Sequence, residues 1–214
     1  MQLYSYFRSS AAFRVRIALE LKGLPFDIVP VHLLREGGQQ HTPEYLARNP
    51  DGLVPLLIDG DHVLNQSLAI IEYLDEAYPQ PPLLPGDAGQ RAHIRALALA
   101  IACEIHPLNN LRVLKYLKRT LEVSEDEKDA WYRHWITLGF GALERRLASD
   151  SRTGRYCVGD TPTLADACLV PQVFNAQRFA VDLAPYPTIS RVFAQCMQLE
   201  AIQRATPAVQ PDAE

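Results

Sequence analysis

The chain opens on an alternation of apolar and polar residues. MQLYSYF places its large side chains on opposite sides of an extended backbone and predicts a strand at Leu3–Phe7. The pattern then lengthens to a helical period over Ser10–Lys22, where Phe13, Ile17 and Leu21 recur four apart and share a face. Gly23 stands where a helix-ending glycine belongs. Phe26–Val31 reads as the next strand, and Pro43–Ala47 as a short helix that ends before Asn49-Pro50. Val54–Ile58 and His62–Leu64 flank Asp59-Gly60-Asp61, a hairpin signal, and Ser67 begins a helix running to about Tyr78. The proline-rich run Pro79–Pro85 is unable to continue that helix and reads as a linker.

The resulting order, β-α-β-α-β-β-α, matches a thioredoxin-like domain over residues 1–81. From about Asp87 onward the period is helical throughout, over Gln90–Ile105, Leu108–Leu121, Ser124–Leu147 and Leu164–Phe179. The expected fold class is therefore α/β plus all-α, with a C-terminal helical bundle over residues 87–214. Thr163-Leu-Ala-Asp166 fits a capping box with aspartate in place of glutamate, and Asp166 is read as a structural cap. The tail Ala205–Glu214 holds two prolines, Pro207 and Pro211, ends in acidic residues, and is expected to be extended or frayed.

Composition narrows the function. Hydrophobic residues make up 48% of the 214 and charged residues 21%, an ordinary globular balance. A formal charge of -4 lacks the basic footprint of a nucleic-acid binder. No basic leader segment and no apolar run long enough to span a bilayer is found, so the expectation is a cytoplasmic protein without a membrane partner. The four cysteines, Cys103, Cys157, Cys168 and Cys196, are widely spaced; they form neither a metal knuckle nor a dithiol pair and are read as plain thiols. No metal site is expected.

The chemistry turns on an absence. A thioredoxin-type oxidoreductase keeps a reactive cysteine at the start of its first helix, where the helix dipole favours the thiolate. Here that place reads Arg8-Ser9-Ser10-Ala11-Ala12, and no cysteine precedes residue 103. Thiol chemistry in this domain needs a thiol brought by a bound molecule. Val54-Pro55, with a proline commonly cis in this fold, leaves the valine backbone available to an extended peptide. Gln66-Ser67 opens a helix whose N–H groups suit a carboxylate, although Ser67 is equally well read as a plain N-cap.

These segments resemble the zeta class of glutathione transferases. The resemblance is carried by YSYFRSS and RVRIALELKG, by GGQQ at Gly37–Gln40, NQSLAIIEYL at Asn65–Leu74, HPLNNLRVL at His106–Leu114, and the stretch from Gly159-Asp160 through Leu169–Gln172 to Val181–Leu183. It implies glutathione as cofactor and a homodimer. It places Ser9 and Ser10 at the catalytic serine positions, one hydroxyl donating to the glutathione sulfur. Gln40, Val54, Pro55, Gln66 and Ser67, with His106 and Asn110, fall on glutathione contacts. Arg8, Asn109, Arg112 and Arg178 are the candidates for substrate carboxylates. Arg14 and Arg16 are read as structural ion-pair residues. Where the class often has serine-serine-cysteine, the third position here is Ala11.

The activity this resemblance implies is glutathione-dependent cis–trans isomerisation of a small dicarboxylate. Maleylacetoacetate comes first, maleylpyruvate second, and general transfer to electrophiles third. A non-catalytic interaction module remains the reading from another class.

Overall fold

The computed structural model describes all residues, 1–214, in two compact units: Met1–Leu84 together with Met197–Glu214, and Pro85–Cys196. In the first, strands β1 (Gln2–Ser5), β2 (Asp27–Pro30), β3 (Leu56–Asp59) and β4 (His62–Asn65) form a sheet of order β2-β1-β3-β4. β1 and β2 are parallel with Leu3 opposite Ile28, while β3 runs antiparallel to both β1 and β4. Helix α1 (Ser10–Lys22) makes the crossover between the parallel strands, α2 (Pro43–Leu46) is a single turn, and α3 (Ser67–Ala77) follows the hairpin. Leu3, Leu56 and Leu57 in the central strands are buried with Ile17, Ile70, Ile71 and Leu74 from the helices. This is the thioredoxin-like arrangement expected.

Helix α1 departs from the one-sided pattern. It is buried almost all round, and its buried residues include Arg14, Arg16 and Lys22. The Lys22 ammonium meets its three donors' needs inside the fold. It donates to Asp75 Oδ1 (2.8 Å), Tyr78 O (2.8 Å) and Pro81 O (2.9 Å). Asp75 also accepts from the N–H groups of Leu83 and Leu84, so the proline-rich stretch is a fastened strap.

The tail corrects the expected domain boundary. Helix α9 (Glu200–Ala205) packs on α1, and Asp212 accepts from the Phe7 N–H at 2.9 Å. Residues 197–214 therefore belong to the thioredoxin-like unit instead of closing the helical one, and they are ordered because buried Ile202 and Ala205 and the Asp212 carboxylate find partners there.

The second unit contains α4 (Ala88–Ala102), α5 (Leu111–Arg119), α6 (Glu125–Ser149), α7 (Leu164–Arg178) and α8 (Pro187–Cys196). α7 is its core, buried along most of its length and packed on α4 and α8. Capping boxes start α4 (Asp87 with Gln90), α6 (Ser124 with Glu127) and α7 (Thr163 with Asp166). α8 is started from a distance: the buried Glu144 carboxylate on α6 accepts from the N–H groups of Thr188 and Ile189, both at 2.9 Å. The expected single helix Leu108–Leu121 is broken. His106–Asn109 forms a 3-10 turn, Asn110 adopts an extended conformation (φ -66, ψ 147), and α5 begins at Leu111. The break arises because the Asn110 side chain accepts from the Arg112 N–H, a local bond that competes with continuing the helix.

Candidate active site

Ser9 is the N-cap of α1. Its Oγ accepts from the Ala12 N–H (3.2 Å), while its own N–H donates to Tyr6 O (2.9 Å). A hydroxyl that accepts still has a proton to give. The bond to Ala12 therefore orients the group without consuming its donor. The first helical bond runs from Phe13 N to Ser9 O, so the N–H of Ala11 has no acceptor within α1. A hydroxyl donor and a helix N-terminus together make a cradle for an anion such as a thiolate. Ser10, the first helical residue, is buried. Arg8 is exposed, with its guanidinium 4.9 Å from the centre of the Phe7 ring.

A second helix start lies at α3. Gln66 holds the left-handed region at φ 64, ψ 112, and its side chain makes no capping bond. Such a conformation in a non-glycine residue costs about 1–3 kcal/mol and clusters at ligand clamps. Ser67 follows, buried, and its Oγ accepts from Arg14 Nη1 at 3.2 Å. The first bond of this helix joins Ile70 N to Gln66 O, leaving the N–H groups of Ser67, Leu68 and Ala69 without helical partners. A buried guanidinium beside an uncapped helix start is suited to a carboxylate. Arg14, read from the sequence as a structural residue, reaches the start of α3 through this bond to Ser67.

Between α1 and α3 in sequence lies the loop at Gly37–Gln40. Gln40 is 5% exposed, and its Oε1 is buried with no hydrogen-bond partner. Gly38 at φ 112 permits this placement, since a Cβ there would stand 2.6 Å from the Gln40 amide nitrogen. The Val54-Pro55 peptide is cis, as expected. Val54 lies beyond the paired residues of β3, whose ladder with β1 ends at Leu56 opposite Tyr4.

Arg16 was expected to form an ion pair and instead gathers carbonyls. It is fully buried; Nη2 donates to Phe7 O (3.0 Å), Nη1 to Ser5 Oγ (2.9 Å) and Tyr6 O (3.4 Å), and Nε to Ala205 O (2.9 Å). Burial lowers its pKa to about 9, against the pull of the Asp212 charge.

The candidates in the helical unit sit at its short turns and helix ends. Half-buried His106 begins the 3-10 turn. Half-buried Asn110 caps α5 and keeps its amide N–H groups for other partners. Arg112, in the first turn of α5, is exposed. Asn109 has a task inside the unit: its Nδ2 donates to Tyr132 O (3.2 Å), tying the turn to α6, and its Oδ1 is buried without a partner, an acceptor that repels a carboxylate. Arg178 ends α7, 4.9 Å from the Phe179 ring centre, and Phe179 stacks on Tyr132.

The thiols offer no alternative nucleophile within the core. Burial and the Asp166 carboxylate push the Cys157 and Cys196 thiols up, keeping both protonated. No group of metal-ligating side chains is found. A surface cleft of the helical unit, lined by His93, Arg146, Asp150 and Arg152, holds none of the candidates, and Asp150 already pairs with Arg152 at 2.8 Å.

Comparison with known proteins gives the family. Residues 3–82 match the glutathione S-transferase N-terminal domain and residues 136–200 the C-terminal domain. A probable maleylacetoacetate isomerase of Vibrio cholerae is 54% identical over 211 residues, covering 99% of this chain and 97% of the relative. The holo structure of a maleylpyruvate isomerase, described as a bacterial zeta-class glutathione S-transferase, superposes with a TM-score of 0.97 at 51% identity, covering 100% of both chains. A maleylacetoacetate isomerase from Methylobacterium extorquens AM1, solved with malonate and glutathione bound, gives a TM-score of 0.96 at 41% identity, again covering 100% of both. With full-length identity of this order and both halves of the fold matched, the chain belongs to the zeta class of the glutathione transferase family.

Proposed function

We propose that the protein is a glutathione-dependent cis–trans isomerase acting on maleylacetoacetate. The observation that carries this reading is the start of α1, where a capped serine hydroxyl stands in the place of a thiol and no cysteine lies near. The thiol is that of glutathione. Ser9 donates to its sulfur, with Ser10 as the neighbouring candidate. The bond from Arg14 to Ser67 and the uncapped start of α3 support reading Gln66-Ser67 as the seat of a glutathione carboxylate, and the cis Val54-Pro55 peptide supports reading Val54 as its backbone edge. The orphaned Gln40 amide oxygen suits an ammonium or amide donor of the peptide. His106 and Asn110 are assigned to glutathione on the resemblance alone.

In the reaction the thiolate adds to the activated alkene carbon, forming a C–S bond and moving the π electrons onto the conjugated ketone oxygen as an enolate. The former double bond is now single and rotates. Collapse of the enolate reforms the alkene in the trans arrangement and expels the thiolate, so glutathione is returned unchanged. The substrate carboxylates need cations, for which we assign Arg8, Arg112 and Arg178. Asn109 is the weakest of the four original candidates, given its bond to Tyr132.

Maleylpyruvate is the second reading, favoured by the likeness to the holo isomerase of that name. An ultraviolet assay of both substrates side by side, with and without glutathione, separates them. The expected result is faster isomerisation of maleylacetoacetate, with glutathione required in catalytic amounts and no loss of free thiol. Continuous thiol loss points to conjugation, and failure to bind glutathione to a non-catalytic module. We also read the protein as a cytoplasmic homodimer from its family; a monomer by light scattering of the same preparation overturns the dimer.

A further inference from the structure

The peptide that leads into Ser9 is held from both sides. The Phe7 carbonyl accepts from Arg16 Nη2 (3.0 Å), and the Phe7 N–H donates to Asp212 Oδ2 (2.9 Å), a contact made across 205 residues of sequence. The Tyr6 carbonyl accepts both from Arg16 Nη1 (3.4 Å) and from the Ser9 N–H (2.9 Å), so the cap of α1 hangs on the same node. The second Asp212 oxygen is buried with no hydrogen-bond partner, and its charge faces Arg16. Arg16 Nε in turn donates to Ala205 O, which fastens the end of α9 to the node.

The same segment also bears on the loop that precedes Gln40. Glu214 pairs with Arg35 and with His32 Nε2. His32 Nδ1 accepts from the N–H groups of Leu34 and Arg35, the His32 backbone N–H donates to Gln39 Oε1 (2.8 Å), and the Gln39 backbone N–H donates to His32 O (2.8 Å). Gln40 is the next residue.

We infer that Asp212 is a positioning residue for the proposed reaction: together with Arg16 it fixes the Tyr6–Ser9 turn so that the Ser9 hydroxyl and the first N–H groups of α1 converge on the glutathione sulfur. Glu214 plays the lesser part, steadying the loop that carries Gln40. The inference rests on the glutathione reading above. Its physical basis is that hydrogen bonds to an anion depend steeply on alignment, and a donor set by a turn is only as well aimed as that turn.

The test compares the wild type with Asp212→Ala, Asp212→Asn and Glu214→Gln. It reads kcat and KM for glutathione, the pH profile of kcat/KM, and the ultraviolet thiolate absorbance of bound glutathione. Asp212→Ala is expected to lower kcat/KM about tenfold and to raise the apparent pKa of the bound thiol by about half a unit to one unit. Asp212→Asn keeps an acceptor for the Phe7 N–H but no charge opposite Arg16, and should fall between. Glu214→Gln should change KM for glutathione about twofold with the thiol titration intact. Arg204→Ala, which breaks only the exposed pairs of Arg204 with Glu20 on α1 and Glu200 on α9, is the control and should leave the titration unmoved. If Asp212→Ala does not fold, Asp212→Asn decides. A thiol titration and kcat/KM within twofold of wild type in the Asp212 variants overturn the inference, whatever their Tm. A wild type that binds no glutathione overturns the proposed function and the inference with it, whereas an active wild type matched by its Asp212 variants overturns the inference alone.

Discussion

The two units treat their helix N-termini differently. In the helical unit every long helix start is closed by its own side chains: Asp87 and Gln90 on α4, Ser124 and Glu127 on α6, Thr163 and Asp166 on α7, and Glu144 reaching across to α8. In the thioredoxin-like unit the starts of α1 and α3 have no acidic residue in the first turn. The first carries only a serine cap, and the second has none. Unpaired N–H groups at a helix start attract negative charge by hydrogen bonding and by the helix dipole. Where the protein supplies that charge itself, the result is stability. Where it withholds it, the helix start remains available to an anionic ligand, which here is read as the thiolate and a carboxylate of glutathione.

The comparison is broken most forcefully at Asp166. This carboxylate is fully buried and accepts from Cys157 N–H, Thr163 N–H and Thr163 Oγ1, each at 2.8 Å. Asp166→Ala leaves buried donors unpaired and should cost about 3 kcal/mol or more. For a chain of this size that lowers Tm by roughly 6–12 °C. The folded fraction should keep the wild-type thiolate titration. A small change in Tm, or a shifted thiol pKa, would show that the helical unit's caps do not serve stability alone.

Ser9→Ala is the converse. It should remove about 2–3 kcal/mol of transition-state stabilisation, roughly a 30- to 150-fold loss in kcat/KM, and raise the pKa of bound glutathione. The stability cost should be only about 1 kcal/mol, that of one helix cap. Ser10→Ala should do less to turnover. Steady-state kinetics beside a melting curve checks both halves; full activity in Ser9→Ala transfers the role to Ser10.

The smallest effect is expected at Arg112, which is exposed and contacts the fold chiefly through its own backbone. Arg112→Ala should weaken dicarboxylate turnover by about 1.5 kcal/mol, near tenfold, with glutathione affinity unchanged. Conjugation of a neutral electrophile such as a chlorodinitrobenzene is the control and should hardly move. Equal losses on both substrates would mark Arg112 as a support for fold or glutathione; no loss on either would pass the anchor role to Arg8.

The sequence by itself determined what depends on neighbours along the chain. Alternation and helical period set the order β-α-β-α-β-β-α, and Asp59-Gly60-Asp61 marked the hairpin. The Thr163–Asp166 box was legible because its partners lie three residues apart, and so was the missing cysteine at the start of α1. The rest needed the fold. Asn110 ended one helical stretch and began another because its side chain outcompeted a backbone bond, a choice that periodicity does not encode. Glu144 reads locally as one more charge on α6, yet it caps a helix that begins 43 residues later. Arg16 and Asp212 carry no local signal at all, because the carbonyls one gathers and the N–H the other accepts are presented only after strand, helix and tail have packed. Bonds closed within a turn are written in residue spacing, whereas bonds between distant segments have no spacing to read, and only the packed chain decides which buried polar group finds which partner.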